Sequence, residues 1–212
     1  FNTCNPGDES WYIRAKSIEA DYERNVGVAR NASLVVGGVP LFYTPWIDFP
    51  LNGNRKSGFL VPTFKAGSDG AEITVPYYFN LAPNYDLTLT PKLYSRRGLQ
   101  LAGQFRYLQP KYQGDISLAV LPKDQLSRYD TRSKVDWNHQ HRFSRTLSGG
   151  VDFHQVSDDD YYRDFYNRTD IATNVNLNRQ LWLRHQTELW TGRFDSYATV
   201  QKYQTLANAD GY

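Results

Sequence analysis

Between residue 58 and the end of the chain, apolar and polar residues alternate with period two in segments of about ten. In "DLTLTPKLYS", Leu87, Leu89 and Leu93 fall on one side and Thr88, Thr90 and Lys92 on the other. "LQLAGQFRYL" sets Leu99, Leu101, Phe105 and Tyr107 against Gln100, Gln104 and Arg106. "GDISLAVLP" sets Ile116, Leu118 and Val120 against Asp115, Ser117 and Ala119, and "SKVDWNHQHRFS" sets Val135, Trp137 and Phe143 against Asp136, Asn138, Gln140 and Arg142. Successive side chains of a strand point to opposite faces, so the pattern predicts half-buried β-strands. Further strands are expected at 147–156, 171–179, 181–192 and 197–206, making about ten from residue 58 onward.

A soluble sandwich would also alternate, and connection lengths separate the two cases. From a first strand near 58–66, the connections near 82–85, 109–113, 144–146 and 180 are short. Those on the other side include two long polar excursions, "PKDQLSRYDTRS" (122–133) and "SDDDYYRDFYNRTD" (157–170). Short turns at one end and longer loops at the other are the habit of a transmembrane up-and-down barrel. Strands of 9–11 residues suffice to cross the hydrocarbon layer when tilted. Tyr77, Tyr78, Phe79, Trp182 and Trp190 stand near strand ends, where an aromatic girdle belongs.

Residues 1–35 alternate in shorter strands around polar turns such as 23–25, as the end of a soluble β domain would. Residues 36–57 are rich in Gly, Pro and aromatics and read as a linker too apolar to be freely solvated. The fold expectation is therefore all-β: the last strands of one β domain (1–35), a linker (36–57), and the N-terminal part of an incomplete barrel (58–212).

Composition agrees. Of 212 residues, 40% are hydrophobic and 15% aromatic, with 16 Tyr and 5 Trp, while mean hydropathy is −0.63. That balance suits sheets with one wet and one apolar face. The formal charge of +2 gives no nucleic-acid footprint. No run of about 18 apolar residues predicts a transmembrane helix. The start "FNTC" and the absence of Met lead us to expect an internal piece of a longer chain. Cys4 is either a small buried residue or half of a disulfide completed elsewhere.

Several residue groups invite chemistry. His139 and His141 share a strand face as a metal pair would, without a Cys or carboxylate beside them. His154 next to Asp152 suggests a triad fragment, but no serine elbow accompanies it. Asp158, Asp159 and Asp160 read as a solvated acidic loop or a calcium site. Arg96 and Arg97 sit at an expected outer turn, where they could meet phosphates. The "NAS" and "NRT" triplets at 31 and 167 are read as chance sequons. No phosphate-binding loop is present to couple a nucleotide. The prolines Pro62, Pro76, Pro91 and Pro122 are unexpected in strands, because proline has no N–H for the ladder.

The segments "TCNPGDESW", "GVPLFYTPWIDFPL", "RKSGFLVPTF", "VPYYFNLAPNYDLTLTPKLYSRRG" and "GQFRYL", in this order and spacing, resemble the LptD family of lipopolysaccharide-assembly proteins. The likeness is continuous over about 2–125 and weaker beyond, where "VSDDDYYRDF" is similar to a family loop. It implies a periplasmic β-jellyroll at 1–35 and an outer-membrane barrel from 58. It further implies a non-enzymatic role without cofactor: lipopolysaccharide would arrive from the periplasmic bridge protein LptA along a jellyroll groove. Acyl chains would leave among the outer-membrane lipids through a seam between the first and last barrel strands, with the lipoprotein LptE plugging the lumen. By the same resemblance Pro62 and Pro76 are gate prolines and Cys4 pairs with a distant cysteine. The aromatics Phe42, Tyr43, Trp46, Phe49 and Phe59 are expected to border the lipid path. A barrel enzyme of lipase or protease type and a passive porin are the alternatives; without the family, bulge-marking prolines would be preferred.

Overall fold

The computed structural model describes residues 11–23, 25–36, 38–51, 55–67, 70–166 and 176–206. The chain divides into two units, 1–58 and 59–212. Both are antiparallel β-structure, as the alternation predicts.

In the first unit, β1 (Trp11–Arg14), β2 (Ser17–Asp21) and β4 (Val39–Pro50) all pair with the central β3 (Val26–Val36). Residues 36–57, read as a linker, thus contain a twelve-residue strand. Its prolines misled the reading: β4 has a single neighbour, β3, among the described residues, and an edge strand tolerates Pro. The core residues of β3 are Ala29, Ala32 and Val35, spaced by three rather than two. Two irregularities lie along the β3/β4 pair. Asn31 takes a left-handed φ of 48°, which breaks the strict alternation of β3 between Ala29 and Ala32, and between Leu34 and Val35 the register on β4 jumps from Phe42 to Pro40, the extra residue lying on β4.

The second unit is one eleven-stranded sheet. Its strands are β5 (Gly58–Phe59), β6 (Thr63–Gly67), β7 (Gly70–Thr74), β8 (Tyr77–Ala82), β9 (Tyr85–Tyr94), β10 (Gly98–Leu108), β11 (Tyr112–Leu121), β12 (Arg132–Arg142), β13 (Leu147–Val156), β14 (Asn176–Leu189) and β15 (Gly192–Thr205). Pairs β5/β6 and β7/β8 are halves of two interrupted strands, so the sheet has nine crossings where about ten were expected. The difference lies at the C-terminal end. The expected turn near 180 is absent, because the polar residues Asn178 and Gln180 are ladder members opposite Tyr203 and Gln201. The reversal comes at 190–191, where Gly192 carries φ 136°, a value open to glycine alone without strain.

Connections at one end span 83–84, 109–111, 143–146 and 190–191; those at the other include 122–131 and the stretch that starts at 157 and holds a helix at 161–165. The asymmetry read from the sequence is present.

Registry shows what this sheet is built for. Directly opposed residues share a face, and Asp86, Arg106, Asp115, Asn138, Asp152, Gln180 and Gln201 form one lateral row across seven strands. The other face carries Phe64, Ile73, Leu93 and Leu99 in one row, Ile116, Trp137 and Phe153 in another, and Val151, Leu181 and Val200 in a third. Many are bare: Leu101 is 53% exposed, Leu118 50%, Leu181 54% and Val200 74%. Meanwhile Asp86 and Gln100 on the polar face are buried at 4% and 3%. A water-soluble sheet would bury the apolar face; this one is the other way round.

Close packing reinforces the ladder. A Cβ on Gly114 would stand 2.3 Å from the Asn138 carbonyl and 2.5 Å from the Tyr107 hydroxyl, so only glycine lets that ring lie across β11. Tyr107 then bonds His139 Nδ1 at 2.7 Å and accepts from Trp137 Nε1 at 3.2 Å. His141 stacks on Phe143 with ring centroids 4.4 Å apart. The histidine pair therefore belongs to an aromatic belt at the short-turn end. Among the described residues, no group of three His, Cys, Asp or Glu is disposed to hold a metal.

Candidate functional site

The edge of the second sheet, where β5 and β6 lie, is interrupted at its prolines. β6 pairs with β7 from Thr63 opposite Thr74 to Gly67 opposite Gly70, and the ladder stops one residue further on, at Pro62 and Val75. It resumes irregularly: Leu60 N–H donates to the Pro76 carbonyl at 2.9 Å, and β5 pairs with β8. Proline has no donor to give and restricts the residue before it, and Pro62 and Pro76 both lie within this break. Pro76 does not mark a bulge. Thr74 pairs with Lys92 and Tyr77 with Leu89, three residues along each strand, so no residue is inserted there. The register shift in this strand lies instead between Asn80 and Ala82. The ladder is thinned without being bent.

Phe59, 51% exposed, stands beside this break with its ring edge-on to Tyr77, centroids 4.8 Å apart. In the first unit, Tyr43 lies opposite Ser33 and Trp46 opposite Arg30, both on the face away from the buried alanines and 60% and 59% exposed. The Tyr43 hydroxyl donates to Asn31 Oδ1 at 2.7 Å. Phe49 is on the other face, over Gly27, whose missing Cβ makes room for the ring. The expected aromatic path is therefore split between two faces of β4. The Phe42 backbone pairs with Leu34, and Cys4 lies outside the described residues.

The long-loop end holds a charge cluster that the sequence reading missed. Residues 161–165 form a short helix, α1 (Tyr161–Phe165), folded onto the polar face. Tyr161 and Tyr162 are buried at 0% and 4% and pack with Val156, Leu177 and Leu206, with Phe165 against them. Beneath lies Arg132, fully buried. Its Nε and Nη2 form a fork on Asp158 at 3.0 and 2.7 Å, and its Nη1 reaches Asp124 at 3.0 Å and Asp164 at 2.5 Å. Arg97 donates to the same Asp124 at 2.8 Å, and both guanidiniums lie over the Phe165 ring. Bidentate, charge-assisted bonds of this kind are the strong ones.

Two expectations are thereby corrected. Asp158 and Asp160 are 6% and 8% exposed and face guanidiniums, so "SDDD" is neither a solvated loop nor a cation site. Arg97 is taken up by aspartates rather than offered to an outside phosphate. Burial pushes the Asp124 carboxyl up, but the Leu126 N–H and the Arg132 and Arg97 guanidiniums outweigh it and hold it below the usual carboxylate range.

Further along the polar face His154 bridges two carboxylates, Nδ1 to Asp136 at 2.7 Å and Nε2 to Asp152 at 2.8 Å. Asn178 donates to Asp152 at 2.6 Å. His154 is thus one link in a polar strand network.

Comparison with known proteins adds the following. A family model described as LptD protein matches residues 28–196. The LPS-assembly protein LptD of Neisseria gonorrhoeae is 55% identical over 212 residues, covering 100% of this chain and 26% of the relative. That of Chromobacterium violaceum is 50% identical over 208 residues, 97% of this chain and 26% of the relative. That of Aromatoleum aromaticum is 43% identical over 213 residues, 100% of this chain and 27% of the relative. The chain spans about a quarter of the length of these relatives.

Proposed function

This chain belongs to the LptD family, and from that we propose that it is the part of a lipopolysaccharide-assembly protein that delivers the lipid to the outer leaflet of the outer membrane. The role is transport, without catalysis or a cofactor. The second unit spans the membrane as the first strands of a barrel, closed by strands from the rest of the protein, and the first unit is the end of a periplasmic jellyroll. Its partners are lipopolysaccharide, the surrounding membrane lipids, LptE in the lumen and LptA upstream of the jellyroll. Cys4 is joined to a cysteine elsewhere in the protein.

One observation carries this reading: an exposed apolar face backed by a buried polar one, with the ladder broken at Pro62 and Pro76 on the sheet's edge. Lipid satisfies the apolar face, and in lipid every lost ladder bond weakens a seam that water cannot repair. A weak lateral seam is what a lipid needs to leave a barrel sideways. Acyl chains would meet Tyr43 and Trp46 on one face of β4, and Phe59 beside the break in the second sheet.

The test is to place a photo-crosslinking side chain at Phe59 or Trp46 of the full-length protein in cells and look for lipopolysaccharide adducts. Adducts at both positions are expected. If neither is labelled while the protein still assembles and maintains surface lipopolysaccharide, this route is wrong.

A further inference from the structure

Each residue of an antiparallel strand points its N–H and C=O to the same side, and consecutive residues point to opposite sides. The backbone bonds therefore fix which seam Pro76 and Pro91 weaken. Val75 N–H donates to the Pro91 carbonyl at 3.2 Å, and Ser95 N–H donates to the Ala71 carbonyl at 2.8 Å. Residues 71, 73 and 75 thus face β9, while 72, 74 and 76 face β5/β6. The bond from Leu60 to the Pro76 carbonyl agrees.

The consequences differ for the three prolines. Pro76 faces β5/β6, so its missing donor is lost from the seam between the first and second crossings. Thr63, opposite Thr74, and Leu60, bonded to Pro76, both face the second crossing although they are three residues apart, so alternation breaks between them and Pro62 lies in that break at the sheet's edge. Pro91 faces Val75. The Val75 N–H bonds to it, but the reciprocal bond from position 91 to the Val75 carbonyl has no donor. Val75 and Pro91 are directly opposed, while β9 itself runs unbroken through Pro91.

We propose that Pro91 is a positioning residue of the gate and that the seam between β7/β8 and β9 is its hinge. Two successive seams each lack a donor at nearly the same height, beside the break at Pro62, so the first two crossings swing as a flap on β9 rather than parting at one seam alone. The proposal rests on the lateral-exit reading and adds a third residue to it, acting through the strands on either side.

The experiment uses full-length protein carrying Pro91→Ala, with Pro62→Ala and Pro76→Ala as companions. Restoring the donor at 91 should lower the rate of lipopolysaccharide delivery about 2- to 12-fold, the factor carried by one net hydrogen bond. It should also slow hydrogen exchange of the amides at 73–75. In the unsubstituted protein those amides should exchange faster than the amides of β10, a comparison that needs no variant. If 73–75 are as protected as β10, or Pro91→Ala delivers lipid at the normal rate while Pro62→Ala and Pro76→Ala are slow, the hinge is refuted and the gate stands. If all three variants deliver normally, the lateral-exit reading itself fails.

Discussion

Arg132 shows how much one side chain can organise. It enters a site with 0% exposure carrying a full charge, which would be prohibitive alone and is sustained only by the aspartates at 124, 158 and 164. These come from both long loops, so the guanidinium ties 122–131 and 157–166 to the start of β12. Arg132→Ala leaves Asp158 without its guanidinium fork and leaves Asp124 and Asp164 to Arg97, and removing one partner of such a buried set costs about 3 to 5 kcal/mol. The expected outcome is release of α1 from the polar face, read as protease cleavage or rapid hydrogen exchange within 157–166. Unchanged protection there would mean that the aromatic packing holds the loop by itself.

Elements differ in how clearly they announce themselves. The strands from β9 to β13 were legible because their period-two pattern runs for ten or eleven residues and each turn contrasts with it. β14 was cut in two, since its polar members Asn178 and Gln180 look like a turn until their cross-strand partners are known. β4 is hidden by its prolines, and the register shift between β3 and β4 is invisible until the two are paired. The loop at 157–170 was read as polar because of its three aspartates, yet Tyr161, Tyr162, Phe165 and Tyr166 recur at helical spacing, a signal that was available. Its docking through charge also makes it pH-dependent. The Asp124 carboxyl is held below its ordinary value of about 3.8, so its contribution to docking is fully present above that value and is lost as pH falls through the lowered one. Loop protection should therefore be flat from neutral pH down to about pH 4 and fall below it. Asp124→Asn should be looser at neutral pH and show less of that acid step, measured by hydrogen exchange on the inserted protein. Protection that already falls between pH 6 and pH 5 would point to another group.

The whole sheet is intelligible only with a solvent other than water on one side. Two adjacent residues of β11 make the test sharp, because strand geometry sends them to opposite faces at the same height. Leu118, 50% exposed, lies between Gly103 and Val135 on the apolar face, while Ser117 lies between Gln104 and Asp136 on the polar one. In water, Leu118→Arg would be the milder change, for it replaces an exposed apolar group with a charged one. In a membrane the order reverses: a cation on the lipid face near mid-depth costs about 2 to 4 kcal/mol, whereas a lumen-facing one does not. Leu118→Arg should lower the yield of assembled, heat-modifiable full-length protein in the outer membrane, and Ser117→Arg, beside Asp136, should assemble normally. Equal yields, or a worse outcome for Ser117→Arg, would contradict a bilayer at this face, and with it the reason that thinning the ladder at the prolines would open a path for lipid.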